Sequence, residues 1–588
     1  MSPTQITDDA QPAIGFNLRS ELWALVIAIS ITIAALVYLF QLWHLHPRVP
    51  ILYSGDGLLT LNGLRNMRFG QWYWSTKQLG APFGQDLHDF PAVADNLHLA
   101  MLWVGVKLLR SEVLTFNLFF FGTYLFTTAG GYIGARMLKI KRPAAVLIGV
   151  IFSFLPYHFQ HGPGHLYLSA YWAVPLWAAF LIRELSGDSI CAVLPHSNSR
   201  SVLIRWCRQP STLVIAAISI SAASTGLYYA FFFLILATPI LAFRWIKQSG
   251  PFQWLPIAWA LCLATSTMAV QYFPIWLYQK QNGSNLSIVQ RSIAQVEYYS
   301  LKISNLLLPV GGHRIPQFAN LRNKANPVYL VGEGTEAIGL IGGFGLLVLM
   351  CVLVFRLSQK KNSLLPALSS FAFMAILVST VGGFAQIFAA FGFTQLRVWS
   401  RMSVVIAFPA IVCAVLLLNQ MVAKLKQITA ITIFMLVGAV ALLDMNPGHP
   451  LPSYEKTARS WQNDRYLVQK IETEFGNDAM IFQLPIVPFP ENPPVVEMTD
   501  YKHLRGFFHS STLQWSYGGV KGRDGAWQNS LPTDPKLLVA KLRSLGFEAI
   551  WIDRNGYEDK GADLIANLRA LGLISSISNK NILVLTLG

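Results

Sequence analysis

The sequence predicts a polytopic α-helical membrane protein that ends in a separate α/β domain. Of its 588 residues, 53% are hydrophobic and only 13% are charged, whereas a soluble domain carries about 25% charged residues. Apolar runs of about 20 residues, each sufficient to cross a bilayer core of roughly 30 Å, recur along the chain. Beyond about position 445 the charge rises and the apolar runs shorten, which is typical of a domain in water.

About eleven spans follow from these apolar runs. We expect the first, at 22–40, to be a retained span, because a polar segment precedes it and no small-residue cleavage site follows it. The run 97–109 is too short for a span, which favours a helix lying on the membrane surface. The other predicted spans are 114–138, 144–159, 168–185, two within 213–246, 255–278, one ending at 355, 364–381, 404–418 and 428–443.

The net charge of +16 reflects membrane topology. The basic residues are scattered in short loops, and clusters such as Lys139, Lys141 and Arg142 all fall on one side of the predicted membrane. The short turns on the opposite side, 160–167 and 223–228, contain no Lys or Arg. The positive-inside rule therefore places the amino terminus in the cytoplasm, and no nucleic-acid partner is expected.

This orientation divides the chain into three parts. A cytoplasmic segment (1–21) precedes the transmembrane region (22–445), and a C-terminal region (446–588) follows on the outer face. Two long loops of the transmembrane region are predicted on that face as well, the first long loop (46–113) and the second long loop (279–336). Within the C-terminal region we predict strands at 479–484, 549–552 and 582–587, and helices at 535–545 and 562–571.

Several function classes lack their sequence signals. The chain contains no Walker A motif, nucleophile elbow, Rossmann glycine fingerprint or HExxH zinc motif. These absences disfavour ATP-driven transport and serine hydrolysis. Because no cysteine lies in a segment predicted outside and none forms a metal-ligand pair, we expect neither disulfides nor a zinc site. The five cysteines are Cys191, Cys207, Cys262, Cys351 and Cys413.

The first long loop combines acids with aromatic residues. Asp56 follows the first span, and Asp86 and Asp89 are spaced so that they would face the same way on a helical turn. Such carboxylates can bind a divalent cation such as Mg²⁺ or Mn²⁺ or act as a general base. The alternative is that they cap helices and solvate the loop. The substrate-binding residues predicted here, which can contact a sugar, are Trp72, Trp74 and His88.

Three histidines surround the turn after the third predicted span. His158, His161 and His165 could line a polar substrate pocket or bind a metal, although their spacing fits no standard zinc pattern. The alternative is that they anchor this turn at the membrane interface as ordinary polar residues.

Two arginines near the outer start of the tenth span break the positive-inside pattern. Arg397 and Arg401 would share one helical face, since they are four residues apart. A planar guanidinium suits bidentate phosphate binding, so we predict that they hold the phosphate of an anionic lipid carrier. The alternative is that they reach ordinary lipid headgroups.

The second long loop and the C-terminal region could form a lid over a pocket at the membrane face. Glu297 of the loop and Trp515 and Tyr517 of the C-terminal region are the predicted substrate-binding residues of this lid. The alternative is that the C-terminal region uses its aromatic residues for its own core.

The sequence resembles the GT-C superfamily, whose members are membrane glycosyltransferases that use polyprenol-phosphate-linked sugars. Protein O-mannosyltransferases, lipid A aminoarabinose transferases and bacterial YfhO-like proteins are the groups it resembles. The architectural resemblance covers residues 20–445 and includes a large acidic loop after the first span and a short amphipathic helix behind it. The local segments that carry it are Ser54-Gly55-Asp56, Gly80 to Asp86, Leu155 to His158 and Trp515 to Gly518.

The resemblance implies sugar transfer from a polyprenyl-phosphate-linked donor to a glycan, lipid or protein acceptor at the outer face of a bacterial inner membrane. An inverting transferase needs a carboxylate to deprotonate the acceptor and positive charge to stabilise the departing phosphate. Asp56 is the predicted base, because it lies closest to the first span. Asp86 and Asp89 would orient the acceptor or a cation, and Arg397 and Arg401 would hold the phosphate.

Two other functions stay open at this point. A transporter or flippase of lipid-linked saccharides would use the same arginines and aromatic loop without chemistry. It is disfavoured because no inverted repeat is visible and few charges lie within the spans. A non-catalytic envelope assembly protein would use the C-terminal region for docking.

Overall fold

The computed structural model is predominantly helical and describes most of the chain. Cys191 and Cys207 lie outside the described residues. The other three cysteines are free thiols. The described residues are 17–70, 72–190, 209–247, 253–288, 291–325, 332–355, 364–447 and 452–588.

The transmembrane region is built from long apolar helices. In the described part of the chain, seven helices are long and apolar enough to cross a membrane. They are Leu18–Leu39, Glu112–Met137, Arg142–His161, Leu227–Lys247, Leu255–Asn282, Trp399–Val422 and Gln427–Met445. Four shorter apolar helices are Asn96–Leu109, Pro210–Ser224, Gly339–Phe355 and Leu364–Ser379.

Every predicted span coincides with a helix, so the prediction of a polytopic helical membrane protein is confirmed. The span predicted at 168–185 is shorter in the structure, where the helix is Val174–Ser186. The count of eleven spans stays a prediction. The remaining shorter helices of residues 17–447 are Asp56–Phe69, Leu166–Ser169, Ile293–Tyr298, Ile303–Leu307, Pro316–Ala325 and Ala385–Ala390.

Glycines allow the helix Glu112–Met137 to pack closely against its neighbours. A Cβ atom at Gly130 would lie 2.1 Å from the carbonyl oxygen of Trp172, and one at Gly134 would lie 2.5 Å from that of Pro175. Because lipid supplies little hydrophobic driving force between helices, close backbone approach at small residues is a main source of their association. This packing holds the start of the helix Val174–Ser186 against the helix Glu112–Met137.

The C-terminal region forms a five-stranded mixed sheet with helices. Its strands are β3 Met480–Leu484, β4 Gln514–Trp515, β5 Phe547–Asp553, β6 Ile574–Ser578 and β7 Ile582–Thr586, and its helices are Tyr454–Phe475, Leu504–His509, Pro535–Ser544 and Ala562–Ala570. The strand order is β4-β3-β5-β7-β6, with β3 parallel to β4 and β5, and β7 antiparallel to β5 and β6. Two further strands, β1 Ser75–Thr76 and β2 Gln85–Asp86, form a two-stranded ribbon in the first long loop.

The two faces of this sheet pack against different partners because side chains alternate along each strand. Phe482 and Ile550 belong to a core shared with the helices Pro535–Ser544 and Ala562–Ala570. Ile481 and Trp551 belong to a second core that includes residues of the first long loop. The first long loop therefore packs mainly against the second of these faces, and its Ala81 also reaches the first core.

The first long loop also extends the sheet beside β4. The amide of Trp515 donates to the carbonyl of Gln78 at 2.9 Å, and the amide of Ala81 donates to the carbonyl of Trp515 at 3.0 Å. The amide of Gly80 donates to the carbonyl of Tyr517 at 2.9 Å. These bonds tie the C-terminal region to the loop that follows the first span.

We expect Gly80→Ala to weaken this connection. Gly80 has a φ of +71°, and a Cβ atom there would lie 2.1 Å from the carbonyl oxygen of Gly84. Gly476 has a similar φ of +79° but open space around its Cβ position, so Gly476→Ala is a control for backbone strain alone, which should cost about 1–3 kcal/mol. Gly80→Ala should lower the unfolding temperature of purified protein more than the control does. Equal decreases in the unfolding temperature of the two variants would contradict the close approach of Gly80 to the carbonyl of Gly84.

A buried histidine lies at the same interface. The Nε2 atom of His509 lies 3.1 Å from the hydroxyl of Tyr53, and its ring lies 4.2 Å from that of Trp461. Burial, reinforced by the positive charges of three neighbouring arginines, lowers the pKa of His509 to about 3. The folded protein therefore holds this imidazole neutral at the pH of most assays.

The lowered pKa predicts a pH dependence of stability. The unfolded chain takes up a proton at His509 near pH 6.5, whereas the folded chain does so only near pH 3. The stability contributed by the neutral imidazole is therefore lost as the pH falls between these values. The difference in unfolding free energy between the wild type and His509→Gln should change by about 1.4 kcal/mol per pH unit in that window. A difference that stays constant on acidification would contradict the assignment.

Candidate active site

A cavity of about 1060 Å³ lies between the transmembrane helices, the first long loop and the C-terminal region. The helices Leu227–Lys247 and Leu255–Asn282 contribute mostly apolar side chains to it. The carboxylate, guanidinium and imidazole side chains that line it come from five separate parts of the chain. They are Asp56, Asp89, Asp95, His165, Arg291, Arg401 and Glu491.

Asp56, the predicted base, lines this cavity. It begins the helix Asp56–Phe69, where the positive end of the helix dipole favours a carboxylate. Gly55 precedes it with a φ of +53°, a conformation that suits glycine. The Oδ2 atom of Asp56 lies 3.0 Å from Nδ1 of His165, and the two side chains are 42% and 45% exposed. The carboxylate is therefore oriented and still accessible to a substrate.

The three histidines of the predicted pocket separate in the structure. Only His165 lines the cavity. His158 is fully buried, with Nε2 2.8 Å from the hydroxyl of Thr123 and its ring stacked on Tyr124. His161 is also buried and lies on Tyr157. The expectation that all three line one pocket is wrong, because the helical turn Pro156–His161 directs the first two into the helix bundle.

Asp86 and Asp89 do not share a helical face, which corrects the prediction. Asp86 belongs to β2, and its Oδ1 lies 2.6 Å from Nδ1 of His88. Asp89 is buried and lines the cavity, where its Oδ2 accepts a 2.6 Å bond from Nε of Arg523. Among the described residues no three His, Cys, Asp or Glu side chains are grouped to hold a metal ion. A cation on this pair stays a prediction that the geometry does not favour.

The predicted aromatic residues of the first long loop lie outside the cavity lining. Trp74 packs on His88, with ring centroids 4.2 Å apart, and His88 stacks on Tyr278 at 4.8 Å. Trp72 packs at 5.8 Å on Tyr73, which does line the cavity. Trp72 and Trp74 both pack on Tyr73 and therefore support the cavity wall from behind, whereas the ring partners of His88 do not line the cavity.

The residues predicted to form a lid, Glu297, Trp515 and Tyr517, contact other parts of the fold and not the cavity. Trp515 and Tyr517 are buried in the core that the C-terminal region shares with the first long loop, so they serve packing, as in the alternative that these aromatic residues belong to a core. Glu297 accepts hydrogen bonds from the amide of Gly382 and from the side chain of Gln386. None of the three predicted residues lines the cavity.

Only one of the two arginines reaches the cavity. Arg397 precedes the 3₁₀ turn Trp399–Met402, so the predicted shared helical face is wrong. Arg397 instead donates to the Gln295 side chain at 3.2 Å and lies over the ring of Tyr299. Arg401 lines the cavity.

Arg401 forms a two-point ion pair with Glu333. Its Nε donates to Oε2 at 3.0 Å and its Nη2 donates to Oε1 at 2.5 Å. The guanidinium lies 4.4 Å above the ring of Tyr228, and Nε2 of His161 is 3.5 Å from Glu333. Burial raises the pKa of Glu333, but the contact with His161 and the charge of Arg401 together lower it well below its ordinary value. Glu333 is therefore an anion held against the cavity wall.

Several charged residues of the site were not among those to which the sequence assigned a specific role. Arg291 pairs with Glu491 across two regions of the chain, and Arg523 reaches Asp89 from 434 positions away. Asp95 is buried against His98, and burial raises its pKa. For Glu333, the partner of Arg401, the sequence offers one local sign of a special role: this acid lies between two glycines, Gly332 and Gly334.

The fold is similar to those of several solved structures. ArnT from Cupriavidus metallidurans bound to undecaprenyl phosphate matches 97% of this chain and 98% of its own, with a TM-score of 0.51 and 11% identity. The same protein in the apo state gives a TM-score of 0.50 over equal shares, again at 11% identity. The apo Archaeoglobus fulgidus oligosaccharyltransferase matches 92% of this chain and 70% of its own, with a TM-score of 0.47 and 11% identity.

No protein-family profile matches the sequence, and no curated protein matches it either. At 11% identity the likeness to ArnT concerns the fold, which is shared over nearly the full length of both chains. The chain is a polytopic helical membrane protein whose fold is similar to that of ArnT, which agrees with the fold that the resemblance of its sequence implies.

Proposed function

We propose that the protein transfers a sugar from a polyprenyl-phosphate-linked donor to an acceptor hydroxyl within the cavity. One observation carries the proposal: an accessible carboxylate, Asp56, and a cavity-lining guanidinium, Arg401, line the same cavity. Transfer requires a base at the acceptor and positive charge at the leaving group. The fold shared with ArnT, whose structure contains bound undecaprenyl phosphate, supports the choice of donor.

Asp56 is the general base of this proposal. It accepts the proton of the acceptor hydroxyl while the oxygen of that hydroxyl bonds to the anomeric carbon of the donor sugar. The bond between the anomeric carbon and the phosphate oxygen breaks, and the electron pair leaves with the polyprenyl phosphate. Attack opposite the leaving group inverts the anomeric carbon. His165, 3.0 Å away, orients the carboxylate.

Arg401 holds the donor phosphate in this proposal. A guanidinium can bind two phosphate oxygens at once, and its charge stabilises the phosphate as it departs. The Tyr228 ring beneath it fixes its plane. Arg397 lies outside the cavity lining, so we assign it a supporting role in the loop that carries Arg401.

The lipid chain of the donor has a suitable path. The cavity wall formed by Leu227–Lys247 and Leu255–Asn282 includes Leu227, Phe231, Leu234 and Met268. Such a surface suits a polyprenyl chain, because burial of each CH₂ group contributes about 0.8 kcal/mol. The lipid would therefore enter from the membrane between these helices, with its phosphate at Arg401.

We place the reaction at the outer face of a bacterial inner membrane. The proposal follows from the positive-inside rule, which puts the first long loop and the C-terminal region on that side. The acceptor is a glycan, lipid or protein. Cysteines introduced singly at exposed Lys77 and Glu455 should react with an impermeant thiol reagent in intact cells, and reaction only after lysis would overturn the orientation.

The test of the function is product formation. Purified protein in nanodiscs, given undecaprenyl-phosphate-linked sugars and a panel of acceptors, should release undecaprenyl phosphate together with a glycosylated product. Movement of the intact lipid-linked sugar across a proteoliposome membrane without such release would instead support a flippase.

A further inference from the structure

We infer that Glu333 is an internal anion that occupies Arg401 in the absence of donor and is displaced by the donor phosphate. The inference rests on the proposed function and deepens it by naming the residue with which the lipid phosphate competes. Glu333 would thereby set the affinity for the donor without touching the reacting atoms.

The geometry of the ion pair supports this competition. Two oxygens of Glu333 accept from Nε and Nη2 of Arg401, and a phosphate uses the same two-point geometry. Arg401 lines the cavity and its ring partner Tyr228 does so too. A phosphate that binds both Nε and Nη2 of Arg401 must therefore take the place of the carboxylate.

The backbone around Glu333 allows its side chain to leave. Gly332 and Gly334 flank it with φ values of +61° and +74°, and a Cβ atom at Gly334 would meet nothing within 4 Å. The following residues are anchored, because Glu336 lies 3.5 Å from Arg322 and both side chains are 2% exposed. Glu333 can thus rotate away from Arg401 while the segment behind it stays fixed.

His161 can pair with the carboxylate of Glu333 after it leaves Arg401. Nε2 of His161 lies 3.5 Å from Oε2 of Glu333, and its ring is fixed on Tyr157 with centroids 4.0 Å apart. The exchange therefore moves Glu333 toward a polar group already in contact with it, so the carboxylate does not enter apolar surroundings alone.

The test measures binding of undecaprenyl phosphate to the full chain in phosphatidylcholine nanodiscs. Glu333→Gln should bind at least about tenfold more tightly than the wild type, because a binding-competent state populated at about 10% or less lowers the apparent affinity by that fraction. Glu333→Asp keeps the charge with a shorter reach and should give an intermediate value. The exposed pair of Glu455 and Arg459 provides the control Glu455→Gln, which should leave the dissociation constant unchanged.

The outcomes separate this inference from the function on which it rests. If the wild type binds the lipid and both Glu333 variants bind equally well or more weakly, Glu333 only positions Arg401 and the inference is overturned. If the wild type does not bind the lipid at all, the proposed donor is wrong. Should Glu333→Gln not fold, Glu333→Asp decides: tighter binding of the lipid than in the wild type supports the inference, and unchanged binding overturns it.

Discussion

Asp56→Asn is expected to reduce sugar transfer by about 10²–10⁴-fold, the usual contribution of a general base. The amide keeps the size of the side chain but cannot accept the proton of the acceptor. Because the side chain is 42% exposed, the unfolding temperature should hardly change. Binding of the lipid donor should also persist, since Arg401 is untouched. The measurement is single-turnover release of polyprenyl phosphate.

Asp86→Asn is the matched control for this prediction. Asp86 belongs to the same loop but does not line the cavity, and its carboxylate contacts His88. We expect this variant to retain transfer within about threefold, an effect smaller than 1 kcal/mol. Full activity of Asp56→Asn, or a larger loss of activity in Asp86→Asn, would show that another acid is the base.

Arg401→Gln is expected to abolish measurable binding of the lipid donor. The substitution removes the two guanidinium donors, Nε and Nη2. It also leaves the carboxylate of Glu333 partly buried without its cationic partner. Loss of one partner from a buried pair costs about 3–5 kcal/mol; with both side chains slightly exposed we expect the lower end. Donor titration and thermal unfolding of the purified variant measure the two effects.

Arg401→Lys and Arg397→Gln sharpen this prediction. Lysine keeps the charge but cannot form the two-point contact, so donor binding should weaken while stability is largely restored. Arg397→Gln should affect donor binding less than Arg401→Gln does, because Arg397 does not line the cavity. An equal loss in both arginine variants would show that the phosphate site includes Arg397.

Sequence periodicity predicted most of the fold. Apolar runs located the membrane helices, and the strands β3, β5 and β7 coincide with the short apolar runs predicted in the C-terminal region. The strands β4 and β6 were missed. β4 has only two residues and is fixed by its pairing with β3 and the first long loop, and β6 carries little apolar signal. Long-range pairing of this kind leaves no local pattern.

The site was predicted less completely than the fold. Asp56 and Arg401 both line the cavity; the first was singled out by its position after the first span, and the second because a basic residue on the outer side breaks the positive-inside pattern. Spacing failed where the assumed helix was absent, as for Asp89 in a turn and Arg397 before a 3₁₀ turn. Glu333 could not be paired with Arg401 from the sequence, because 68 positions separate them and only the folded chain brings them together.

The most direct test of the central claim is a structure of the protein with bound undecaprenyl phosphate. We predict the phosphate within hydrogen-bonding distance of the Arg401 guanidinium, Glu333 moved off that group, and the lipid chain between Leu227–Lys247 and Leu255–Asn282. The carboxylate of Asp56 should face the same cavity from the opposite side of the phosphate. A phosphate bound elsewhere, with Asp56 and Arg401 facing an unliganded cavity, would contradict the account.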